Sequence, residues 1–379
     1  MIKAGLVGCG MIAHTYLNNI IHFFREVHVV ACSDAAPDRA KTFSEEFAIE
    51  RVVTLQEMLE DEEIELILNL TVPAAHYEIS RQALLAGKHV YSEKPMALTM
   101  AEASELRRIS EEKGLCYGCA PDTFLGAALQ TCKKLIDDGW IGRPVAATAN
   151  MVSHGNETWH PSPDFFYQKG GGPMMDMGPY YVTALVSLLG PVDSTACFAS
   201  AAWQKRRIYS QPDAGREMTV EVPTHYSGLL RFAQGTLVTM NMSFDIWLSS
   251  LPKLEIYGTE GTLILPDPNR FSGEVKVLRA ESMIDEIDGL SNQEAMGRLS
   301  KPEMWGKCKS MPLLYRQPAP DMRGIGLSQM VRAIKHKEVC PLNARLSEHV
   351  TEVLLSFDGM GGDEIYHMTT SCDSYRLKL

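Results

Sequence analysis

Residues 4–13 read AGLVGCGMIA, and this stretch decides the fold. A short apolar run breaks into the pattern G-x-G-x-x-A, and an amphipathic segment follows it. Gly8 permits a tight turn, and Gly10 lets the backbone approach a pyrophosphate held at the N-terminus of the next helix. Met11 and Ile12 open that helix and are predicted to line the same site. The sequence therefore predicts a strand, a glycine turn and a helix that together bind a dinucleotide.

A carboxylate follows the second predicted strand at the distance that this motif requires. The apolar run Val27–Cys32 leads to Asp34, about 20 residues after the glycine motif. An aspartate there accepts both ribose hydroxyls of an adenosine and repels a 2′-phosphate, so NAD is the predicted cofactor in preference to NADP. Arg39 is a further predicted cofactor contact. The alternative is that Asp34 caps the next helix and that Arg39 is solvated.

Helices and strands continue to alternate up to residue 122. Such alternation predicts βα units around a parallel sheet, and we assign residues 1–122 to a nucleotide-binding domain. Thr71, Pro73 and His76 follow one of the strands and are predicted to lie near the cofactor, although a helix-capping role for His76 is an equal alternative. The other predicted elements are Ala40–Phe47, Leu55–Leu59, Glu65–Leu70, Ala74–Ala86, Thr99–Lys113 and Leu115–Cys119.

A lysine stands at the end of another predicted strand, in residues 91–95, YSEKP. Pro95 stops this strand from pairing further. Lys94 then faces the crevice beyond the carboxyl ends of the parallel sheet, where open α/β sheets bind ligands. We predict that Lys94 is the chemical centre and that both Glu93 and Lys94 contact the cofactor. The alternative is a solvated loop lysine paired with Glu93.

Strand candidates follow one another in the middle third of the chain, where the alternation with helices stops. This pattern predicts that residues 123–379 form an α+β domain with a large open antiparallel sheet. Leu229, Val238 and Met240 alternate in a way that leaves one sheet face in need of cover, which predicts a partner subunit. Residues 267–312 show little periodicity and are predicted to be rich in loops. The strand candidates are Val145–Val152, Ser194–Trp203, Met218–Val222, His225–Phe232, Thr236–Phe244, Leu254–Tyr257, Thr262–Leu265 and Val275–Leu278.

Residues 170–181, GGGPMMDMGPYY, form a second stretch with chemical potential. Three glycines and two prolines allow a backbone path that other residues cannot take. Asp176 and Tyr180 share a face if a helix has begun by Asp176. If the helix begins at Pro179, Asp176 lies just before it and still reaches the same crevice. The alternative is that Asp176 caps the helix and that Tyr180 belongs to the core.

Composition and charge exclude several classes of protein. The chain has 379 residues, more than one core usually supports, so two domains are expected. A net charge of -11 argues against nucleic acid or an anionic membrane as a partner. The 9 cysteines show no disulfide spacing and suit a reducing cytoplasm, and neither a signal peptide nor a membrane-spanning run is recognised. No metal is predicted, because the histidines have no ligand spacing.

The glycine turn, Asp34, Glu93-Lys94-Pro95 and the triple-glycine stretch with Asp176 together resemble the glucose–fructose oxidoreductase / inositol dehydrogenase / rhizopine-catabolism (Gfo/Idh/MocA) family. The resemblance covers nearly the whole chain. It implies an N-terminal Rossmann domain and a C-terminal antiparallel sheet used for oligomerisation. It also implies NAD(P)-dependent oxidation or reduction of sugars and cyclitols.

The same resemblance implies a catalytic set of lysine, aspartate and, in much of the family, a histidine four residues after the aspartate. The first two map onto Lys94 and Asp176, whereas Tyr180 occupies the histidine position, and Tyr181 is a competing candidate. Dihydrodiol dehydrogenase, a member of this family, is similar in using a tyrosine as its acid/base. A cation within about 4–6 Å lowers a tyrosine pKa by roughly 1–3 units, so Lys94 is predicted to lower the pKa of Tyr180. The Asn/Arg-rich stretch of many members is replaced here by residues 120–124, APDTF.

Aromatic and imidazole side chains in two loops suggest where a substrate binds. They lie in residues 154–160, HGNETWH, and in residues 245–247, DIW. Indole faces with nearby imidazole and carboxamide groups suit a polyhydroxylated ring. For each of these residues, packing in a surface loop or in the core is the alternative. The predicted substrate-binding residues are His154, Trp159, His160 and Tyr181.

Three classes of function fit these features. The first is an NAD-dependent oxidoreductase that moves a hydride between a nicotinamide and a secondary alcohol of a sugar, glycoside or cyclitol. The second is a glycosidase that retains NAD and cleaves by transient oxidation and elimination. The third is a non-enzymatic NAD-sensing regulator, which the presence of Lys94 disfavours. We expect a cytoplasmic protein with a carbohydrate-like substrate that forms a homodimer or homotetramer.

Overall fold

The computed structural model describes residues 1–360 and 364–375. A parallel sheet forms first, from the strands β1 (Ile2–Val7), β2 (Val27–Ser33), β3 (Arg51–Val52), β4 (Leu66–Asn69), β5 (His89–Ser92) and β6 (Tyr117–Cys119). Their order in the sheet is β3-β2-β1-β4-β5-β6, and every neighbouring pair runs parallel. This order is that of a Rossmann fold, whose ligands bind where the strand order reverses, beside β1 and β4.

Helices connect these strands and cover the sheet. They are α1 (Met11–Phe23), α2 (Pro37–Phe47), α3 (Leu55–Glu60), α4 (Pro73–Leu85) and α5 (Met100–Lys113). Two of them begin at a threonine whose side chain accepts from a glutamate N–H three residues later, while the glutamate bonds back to the threonine N–H. These capping boxes, at Thr54 and Thr99, fix where the helices start. The predicted parallel α/β domain is therefore confirmed.

The second half of the chain builds a larger sheet together with the helices that pack against it. Its helices are α6 (Ala127–Asp137), α7 (Gly172–Asp176), α8 (Gly178–Leu189), α9 (Ala280–Ile284), α10 (Asn292–Leu299), α11 (Ile325–His336) and α12 (Ala344–Leu355). Its strands are β7 (Pro144–Val152), β8 (Val192–Ser200), β9 (Lys205–Arg207), β10 (Glu217–Thr219), β11 (His225–Phe232), β12 (Leu237–Ser243), β13 (Leu254–Gly258), β14 (Gly261–Leu265), β15 (Val275–Arg279), β16 (Lys309–Met311) and β17 (Tyr366–His367).

Nine of these strands form one open sheet in the order β16-β15-β14-β13-β7-β12-β11-β8-β17. The predicted antiparallel arrangement holds for every neighbouring pair except β7 and β12, which run parallel. Helix α8 follows β7 and returns the chain to the end of the sheet where β7 began, so β8 starts in the direction of β7. The antiparallel pairs β8–β11 and β11–β12 then give β12 that same direction.

One expectation for this region was wrong. The candidate Met218–Val222 does not join the large sheet, because β10 pairs with β9 in a separate two-stranded ribbon. Residues 267–312, which were expected to be rich in loops, also contain the short helices α9 and α10. Helix α10 is short and exposed, and a capping box between Ser291 and Glu294 fixes its start.

The two faces of the large sheet differ in burial. Helices α6 and α8 pack against one face. Val238 and Met240 point to that covered face and are fully buried. Leu229 points to the opposite face and is 56% exposed, as are the neighbouring side chains of Phe198 (75%) and Leu237 (57%). The expected apolar open face therefore exists, but Val238 and Met240 do not belong to it.

The C-terminal helices pack back onto the first sheet. Helix α11 contacts β6, and α12 contacts both α5 and β6. Asp122, at the end of the Rossmann part, is buried and accepts hydrogen bonds from the Gly324 N–H at 2.8 Å and the Gly326 N–H at 3.0 Å. One carboxylate therefore joins the two halves of the chain. The division of the chain at residue 122 stays a prediction.

Asp122→Asn should change how stability depends on pH. Burial raises the pKa of Asp122 to about 6, although its two backbone hydrogen bonds and the charge of Arg323 oppose this shift and the charge of Glu93 adds to it. In the folded protein, Asp122 therefore keeps its proton up to a pH of about 6, whereas in the unfolded chain Asp122 loses it near its ordinary, lower pKa. This difference stabilises the folded protein at low pH, and the stabilisation is lost as pH rises through about 6. Asparagine does not titrate. In urea unfolding, the stability of the variant relative to the parent should rise by up to about 3 kcal/mol between pH 4 and pH 7.

The exposed Asp288 supplies a matched control for that measurement. Asp288→Asn removes the same charge from the surface, and its unfolding curve should follow the parent at each pH. An Asp122→Asn profile that also runs parallel to the parent from pH 4 to pH 7 would contradict the assignment of this titration to Asp122.

Candidate functional site

The glycine turn has the shape that a pyrophosphate needs. Gly8 has a φ of +97°, and a Cβ there would lie 2.6 Å from the carbonyl oxygen of Leu70, so only glycine fits between β1 and β4. A Cβ on Gly10 would meet no atom within 4 Å. Gly10 is also the N-cap of α1, and no side chain caps that helix. Met11, at 71% exposed, and the partly buried Ile12 flank the same open space, which fits a phosphate bound to free backbone N–H groups.

Asp34 lies beneath this turn at the end of β2. Its Oδ2 accepts from the Cys9 N–H at 2.8 Å, and its Oδ1 accepts from the Ala36 N–H at 2.8 Å. Arg39 Nη1 lies 3.5 Å from Asp34 Oδ1, and the arginine side chain is 60% exposed. Helix α2 begins after Ala36 without a side-chain cap, so Asp34 does not take the helix-capping role that was the alternative. Asp34 and Arg39 thus border the position that an adenosine ribose takes in this fold.

The residues after β4 divide into two groups. Thr71 and Pro73 lie partly buried beside the glycine turn, and Thr71 Oγ1 donates to Asn69 Oδ1 at 2.7 Å. His76 is only 1% exposed. Its Nδ1 lies 2.8 Å from the Pro95 carbonyl oxygen, and its Nε2 lies 3.0 Å from the Thr71 carbonyl oxygen. The predicted cofactor contact of His76 is therefore not supported. Its ring is buried, and both ring nitrogens face backbone carbonyl oxygens, one of which belongs to the turn that follows Lys94.

Glu93 is held away from the lysine side chain next to it. It is 7% exposed, its Oε1 accepts from the Tyr16 hydroxyl at 2.8 Å, and its Oε2 accepts from the Lys94 N–H at 3.0 Å. Tyr16 lies on α1 and is fully buried. The alternative of a surface pair between the Lys94 and Glu93 side chains is therefore wrong. Glu93 instead ties the lysine turn to the helix that opens the phosphate site.

Lys94, Asp176 and Tyr180 come together where the two halves of the chain meet. Lys94 Nζ donates to Asp176 Oδ1 at 2.8 Å and to the Asp176 carbonyl oxygen at 2.6 Å. The same nitrogen lies 5.3 Å from the centroid of the Tyr180 ring. Asp176 is the last residue of α7, and α8 begins at Gly178 without a side-chain cap, so Asp176 does not cap that helix. The lysine and aspartate side chains are 16% and 18% exposed, which leaves them accessible to a small substrate.

The charges around this cluster act in opposite directions. Burial lowers the pKa of Lys94, but the charges of Asp176, Tyr180 and Glu93 outweigh burial and hold it above its usual value. Lys94 therefore stays a cation. Burial raises the pKa of Tyr180, and the charge of Glu93 raises it further. The charge of Lys94 lowers this pKa, as expected, but the net result is a pKa above the ordinary value of tyrosine. The expectation that Lys94 holds this pKa below its ordinary value was wrong, because it left out the cost of burying a phenolate.

The predicted substrate loop is fixed by a buried ion cluster that the sequence did not reveal. Arg206 Nε donates to Glu157 Oε1 at 2.8 Å, and Arg206 Nη1 donates to Asp245 Oδ1 at 2.6 Å. The side chains of Arg206 and Glu157 are 3% and 1% exposed. The ring of His154 stacks on that of Trp247, with 3.2 Å between centroids. The two loops that were singled out for substrate binding therefore do meet.

The remaining substrate candidates differ in position. The ring of His160 meets that of Phe166 edge-on, with 5.1 Å between centroids. Burial lowers the pKa of His160, although a hydrogen bond with the Ser162 backbone and the charge of Asp176 oppose that shift. Trp159 contacts the His160 ring and is 63% exposed. Tyr181 is fully buried, and its hydroxyl lies 3.4 Å from Asp267 Oδ1. The structure does not support Tyr181 as a substrate contact, because its side chain has no exposed surface.

The described residues contain no group of three or more histidine, cysteine, aspartate or glutamate side chains that could hold a metal ion. Within residues 1–360 and 364–375, no helix combines the length and the apolarity that crossing a membrane requires.

Comparison with known proteins agrees with this geometry. Residues 2–120 match the oxidoreductase family with an NAD-binding Rossmann fold, and residues 129–264 match the GFO/IDH/MocA C-terminal domain. The chain belongs to the GFO/IDH/MocA family of oxidoreductases. The first match covers the parallel sheet of this family member, and the second match covers most of its nine-stranded sheet.

Two curated relatives of this GFO/IDH/MocA protein are named for the sugars on which they act. The chain is 26% identical over 270 residues to 1,5-anhydro-D-fructose reductase from Ensifer adhaerens, covering 70% of this chain and 75% of the relative. It is 25% identical over 225 residues to D-xylose dehydrogenase from Paenarthrobacter nicotinovorans, covering 55% of this chain and 56% of the relative. The second match therefore spans little more than half of either protein.

Solved structures of similar architecture span almost the whole chain. Levoglucosan dehydrogenase in its apo form superposes with a TM-score of 0.79 at 18% identity, covering 98% of this chain and 99% of that one. An NAD binding oxidoreductase from Klebsiella pneumoniae superposes with a TM-score of 0.78 at 20% identity, with the same coverage. At such low identity these likenesses establish the fold alone.

Alanine at the two glycines of the turn should have opposite effects on folding and on binding. Gly8→Ala places a Cβ against backbone at a positive φ and should lower the free energy of unfolding by at least about 1–3 kcal/mol. Gly10→Ala should melt within about 2 °C of the parent, because no atom opposes its Cβ, and should weaken NADH binding roughly tenfold or more by filling the pyrophosphate space. Thermal melting and NADH fluorescence titration measure the two effects. If Gly10→Ala binds NADH as tightly as the parent, the pyrophosphate does not lie there.

Proposed function

We propose that the protein is an NAD-dependent oxidoreductase that transfers a hydride between a nicotinamide and a secondary alcohol of a sugar, glycoside or cyclitol. The observation that carries this proposal is the cluster of Lys94, Asp176 and Tyr180, with Lys94 Nζ 2.8 Å from Asp176 Oδ1 and 5.3 Å from the Tyr180 ring. The cluster lies beyond the carboxyl end of β5, in the crevice that a Rossmann fold uses for its ligands. The names of the sugar-specific relatives support the choice of substrate class.

The cluster supplies the groups that alcohol oxidation needs. In the oxidative direction, the phenolate oxygen of Tyr180 accepts the proton of the substrate hydroxyl while the substrate carbon loses a hydride. In the reductive direction, the phenol, which the raised pKa of Tyr180 keeps protonated at neutral pH, gives that proton back to the carbonyl oxygen. NAD, when bound, supplies the hydride acceptor. The products of oxidation are a carbonyl compound, NADH and a protonated Tyr180, which returns its proton to solvent. Lys94 donates to the alcohol oxygen, and Asp176 keeps the ammonium oriented through its two hydrogen bonds.

His154, Trp159 and His160 are proposed to bind the sugar. Their loop is tied to Asp245 through the buried Arg206, so it presents a fixed surface. Indole and imidazole faces suit the C–H face of a sugar ring, and their N–H groups suit its hydroxyls. A rigid loop of this kind reduces the ordering cost of binding a flexible polyol.

A panel of free sugars, cyclitols and glycosides tests the proposed function. NADH formation at 340 nm with at least one free sugar or cyclitol is the expected outcome. Nucleotide that is retained through purification, with release of aglycone and no net NADH, would replace the proposal with the NAD-retaining glycosidase. Nucleotide binding without turnover of any substrate would favour the regulator. The nine free cysteines fit the proposed cytoplasmic location.

Tyr180→Phe should lower turnover by roughly 10²–10⁴-fold, the usual contribution of a positioned acid/base, and should leave NAD affinity unchanged. Lys94→Ala should cost at least as much, because it removes the cation and its contact to the alcohol. Steady-state kinetics and NADH titration check both variants. Tyr181→Phe is the matched control, since its buried hydroxyl faces Asp267. Near-parental turnover of Tyr180→Phe, with Tyr181→Phe or His160→Ala inactive, would show that another side chain carries the proton.

NAD is proposed as the cofactor in preference to NADP. The Asp34 carboxylate repels a 2′-phosphate, while the exposed Arg39, 3.5 Å away, reduces that repulsion. Fluorescence titration should therefore give a lower Kd for NADH than for NADPH. Asp34→Asn keeps the shape of the side chain and removes its charge. The Kd for NADPH divided by the Kd for NADH should therefore fall roughly 10-fold in this variant. A parent protein that binds NADPH more tightly would overturn the preference.

The open face of the nine-stranded sheet is proposed to form a homodimer or homotetramer. Phe198, Leu229 and Leu237 are 75%, 56% and 57% exposed on this face. Multi-angle light scattering at micromolar concentration should give two or four times the chain mass of 42.1 kDa. Leu229→Lys should shift the protein toward the monomer, while Met296→Lys, on the exposed α10, should not. A monomeric parent would refute the proposal.

A further inference from the structure

Glu93 is a buried carboxylate that only neutral groups hold in place. Its side chain is 7% exposed. Its Oε1 accepts from the Tyr16 hydroxyl at 2.8 Å, and its Oε2 accepts from the Lys94 N–H at 3.0 Å. Glu93 forms no ion pair with the described residues, and the Lys94 ammonium beside it pairs with Asp176 instead, at 2.8 Å. The site therefore contains a carboxylate that has no cationic partner of its own.

The hydrogen bonds of Glu93 are those of an ionised carboxylate. An ionised carboxylate only accepts hydrogen bonds, whereas a protonated carboxyl group also has one to donate. The backbone N–H of Lys94 can only donate, so Oε2 is an acceptor. Burial raises the pKa of Tyr16, and the charge of Glu93 raises it further, so this hydroxyl keeps its proton and donates it to Oε1. Both oxygens of Glu93 thus act as acceptors.

The nearest charged groups do not cancel the charge of Glu93. Lys94 and Asp176 have opposite charges and offset each other. His76 is buried, and burial lowers its pKa, although its hydrogen bonds to two backbone carbonyl oxygens and the charge of Glu93 oppose that shift. Its ring is therefore neutral at pH 7. Glu93 leaves this group of side chains with one net negative charge.

The charges farther from the lysine turn do not supply the missing cation either. Arg323 pairs with Asp321, so these two side chains add little net charge. Asp122 has a pKa that burial raises to about 6, and it therefore carries a negative charge at neutral pH. The net charge on this side of the crevice is thus negative.

This negative charge lies on the side of the crevice that the nicotinamide half of a dinucleotide takes. A Rossmann fold has two mononucleotide-binding halves, which meet where the strand order reverses, here between β1 and β4. Asp34, at the end of β2, marks the adenosine half. The nicotinamide half is then the one that β4, β5 and β6 form, and Glu93 is the first residue after β5.

A fixed negative charge distinguishes the two redox forms of a nicotinamide. The ring carries one positive charge in NAD⁺ and none in NADH, while the rest of the molecule is the same. A buried carboxylate nearby therefore attracts the oxidised ring and has little effect on the reduced one. Contacts to the pyrophosphate and the adenosine are common to both forms and cancel when the two affinities are compared. The ratio of these affinities thus reports the electrostatic field at the ring.

We propose that the charge of Glu93 makes the site favour the oxidised nicotinamide and thereby biases the reaction toward reduction of a carbonyl group by NADH. This inference rests on the proposed function. In that direction, the carbonyl carbon gains a hydride, with two electrons, from the nicotinamide ring, and the Tyr180 hydroxyl gives its proton to the carbonyl oxygen. The products are the alcohol and NAD⁺, and Tyr180 recovers a proton from solvent. The neutral phenol that burial favours at Tyr180 suits the same direction.

Glu93→Gln tests the charge while keeping the hydrogen bonds. The amide oxygen of glutamine can accept from the Lys94 N–H, and its NH₂ group can donate to the Tyr16 hydroxyl oxygen. The Kd for NADH divided by the Kd for NAD⁺ should fall roughly 3- to 30-fold, the usual effect of one partly buried charge, because NAD⁺ binds more weakly. Fluorescence titration gives the Kd for NADH, and competition against NADH gives the Kd for NAD⁺. Each tenfold fall is a rise of about 30 mV in the potential of the bound couple.

Three further variants set the sign, the background and the fallback. Lys94→Met removes a positive charge from the same site and should raise the ratio. Glu62→Gln removes an exposed carboxylate that precedes β4, at the opposite edge of the parallel sheet, and should leave the ratio unchanged. If Glu93→Gln does not fold, the double variant Tyr16→Phe, Glu93→Met replaces the hydroxyl and the carboxylate by apolar side chains of similar size. It should lower the ratio as Glu93→Gln does.

The nucleotide measurements need no substrate, so they decide this inference separately from the choice of sugar. A lower ratio supports the role of Glu93 even if no sugar is oxidised. An unchanged ratio, or Kd values for NAD⁺ and NADH that rise by the same factor, would show that Glu93 only supports the structure of the turn. A parent protein that binds neither nucleotide would remove the proposed NAD-dependent function and this inference together.

Discussion

The ion pair between Lys94 and Asp176 is the interaction on which the site depends. Its partners come from different halves of the chain, the end of β5 and the end of α7, and their side chains are only 16% and 18% exposed. Two partly desolvated charges are stable together only when their geometry is good and their remaining hydrogen bonds are made. Lys94 meets that condition by donating to both the carboxylate and the carbonyl oxygen of the same residue. The backbone at Asp176 must therefore be placed as accurately as its side chain.

The glycines before Asp176 explain how the chain achieves that placement. A Cβ at Gly171 would lie 2.6 Å from the Phe165 carbonyl oxygen, and one at Gly172 would lie 2.9 Å from the Pro223 carbonyl oxygen. The chain can pass between these two carbonyls only because it carries no side chains there. Helix α8 then follows as a fully buried element, so the position of Tyr180 is fixed by the core.

Local patterns in the sequence predicted what local forces decide. Strand β11 was predicted with its observed bounds, His225–Phe232, because alternation and flanking turns are local signals. The parallel pair of β7 and β12 was not predicted, because strand direction depends on the helical crossover between them. Arg206 was missed for a similar reason: its partners Glu157 and Asp245 are 49 and 39 residues away in sequence. The periodicity of hydrophobic residues along the chain does not predict which buried charged side chains will form ion pairs.

The direction in which a side chain points was the second property that the sequence did not predict. His76 and Tyr181 follow elements that do border the crevice, yet His76 is 1% exposed and Tyr181 is fully buried. A pattern places a residue near a site, but packing decides whether its side chain faces the crevice or the core. Lys94 and Asp176 could be recognised because the unusual residues around them, proline and glycine, restrict the backbone itself.

The bonds that Asp34 makes have a consequence for how a nucleotide arrives. Its carboxylate accepts from the Cys9 N–H inside the glycine turn and from the Ala36 N–H before α2, both at 2.8 Å. Protein groups alone thus hold the glycine turn in the conformation that binds a pyrophosphate. The entropy cost of ordering this loop is therefore met when the protein folds and not when the nucleotide binds. Binding free energy is then not spent on closing the loop. Capture of the pyrophosphate should be limited by diffusion into a ready cradle, and the lifetime of the complex by the contacts made afterwards.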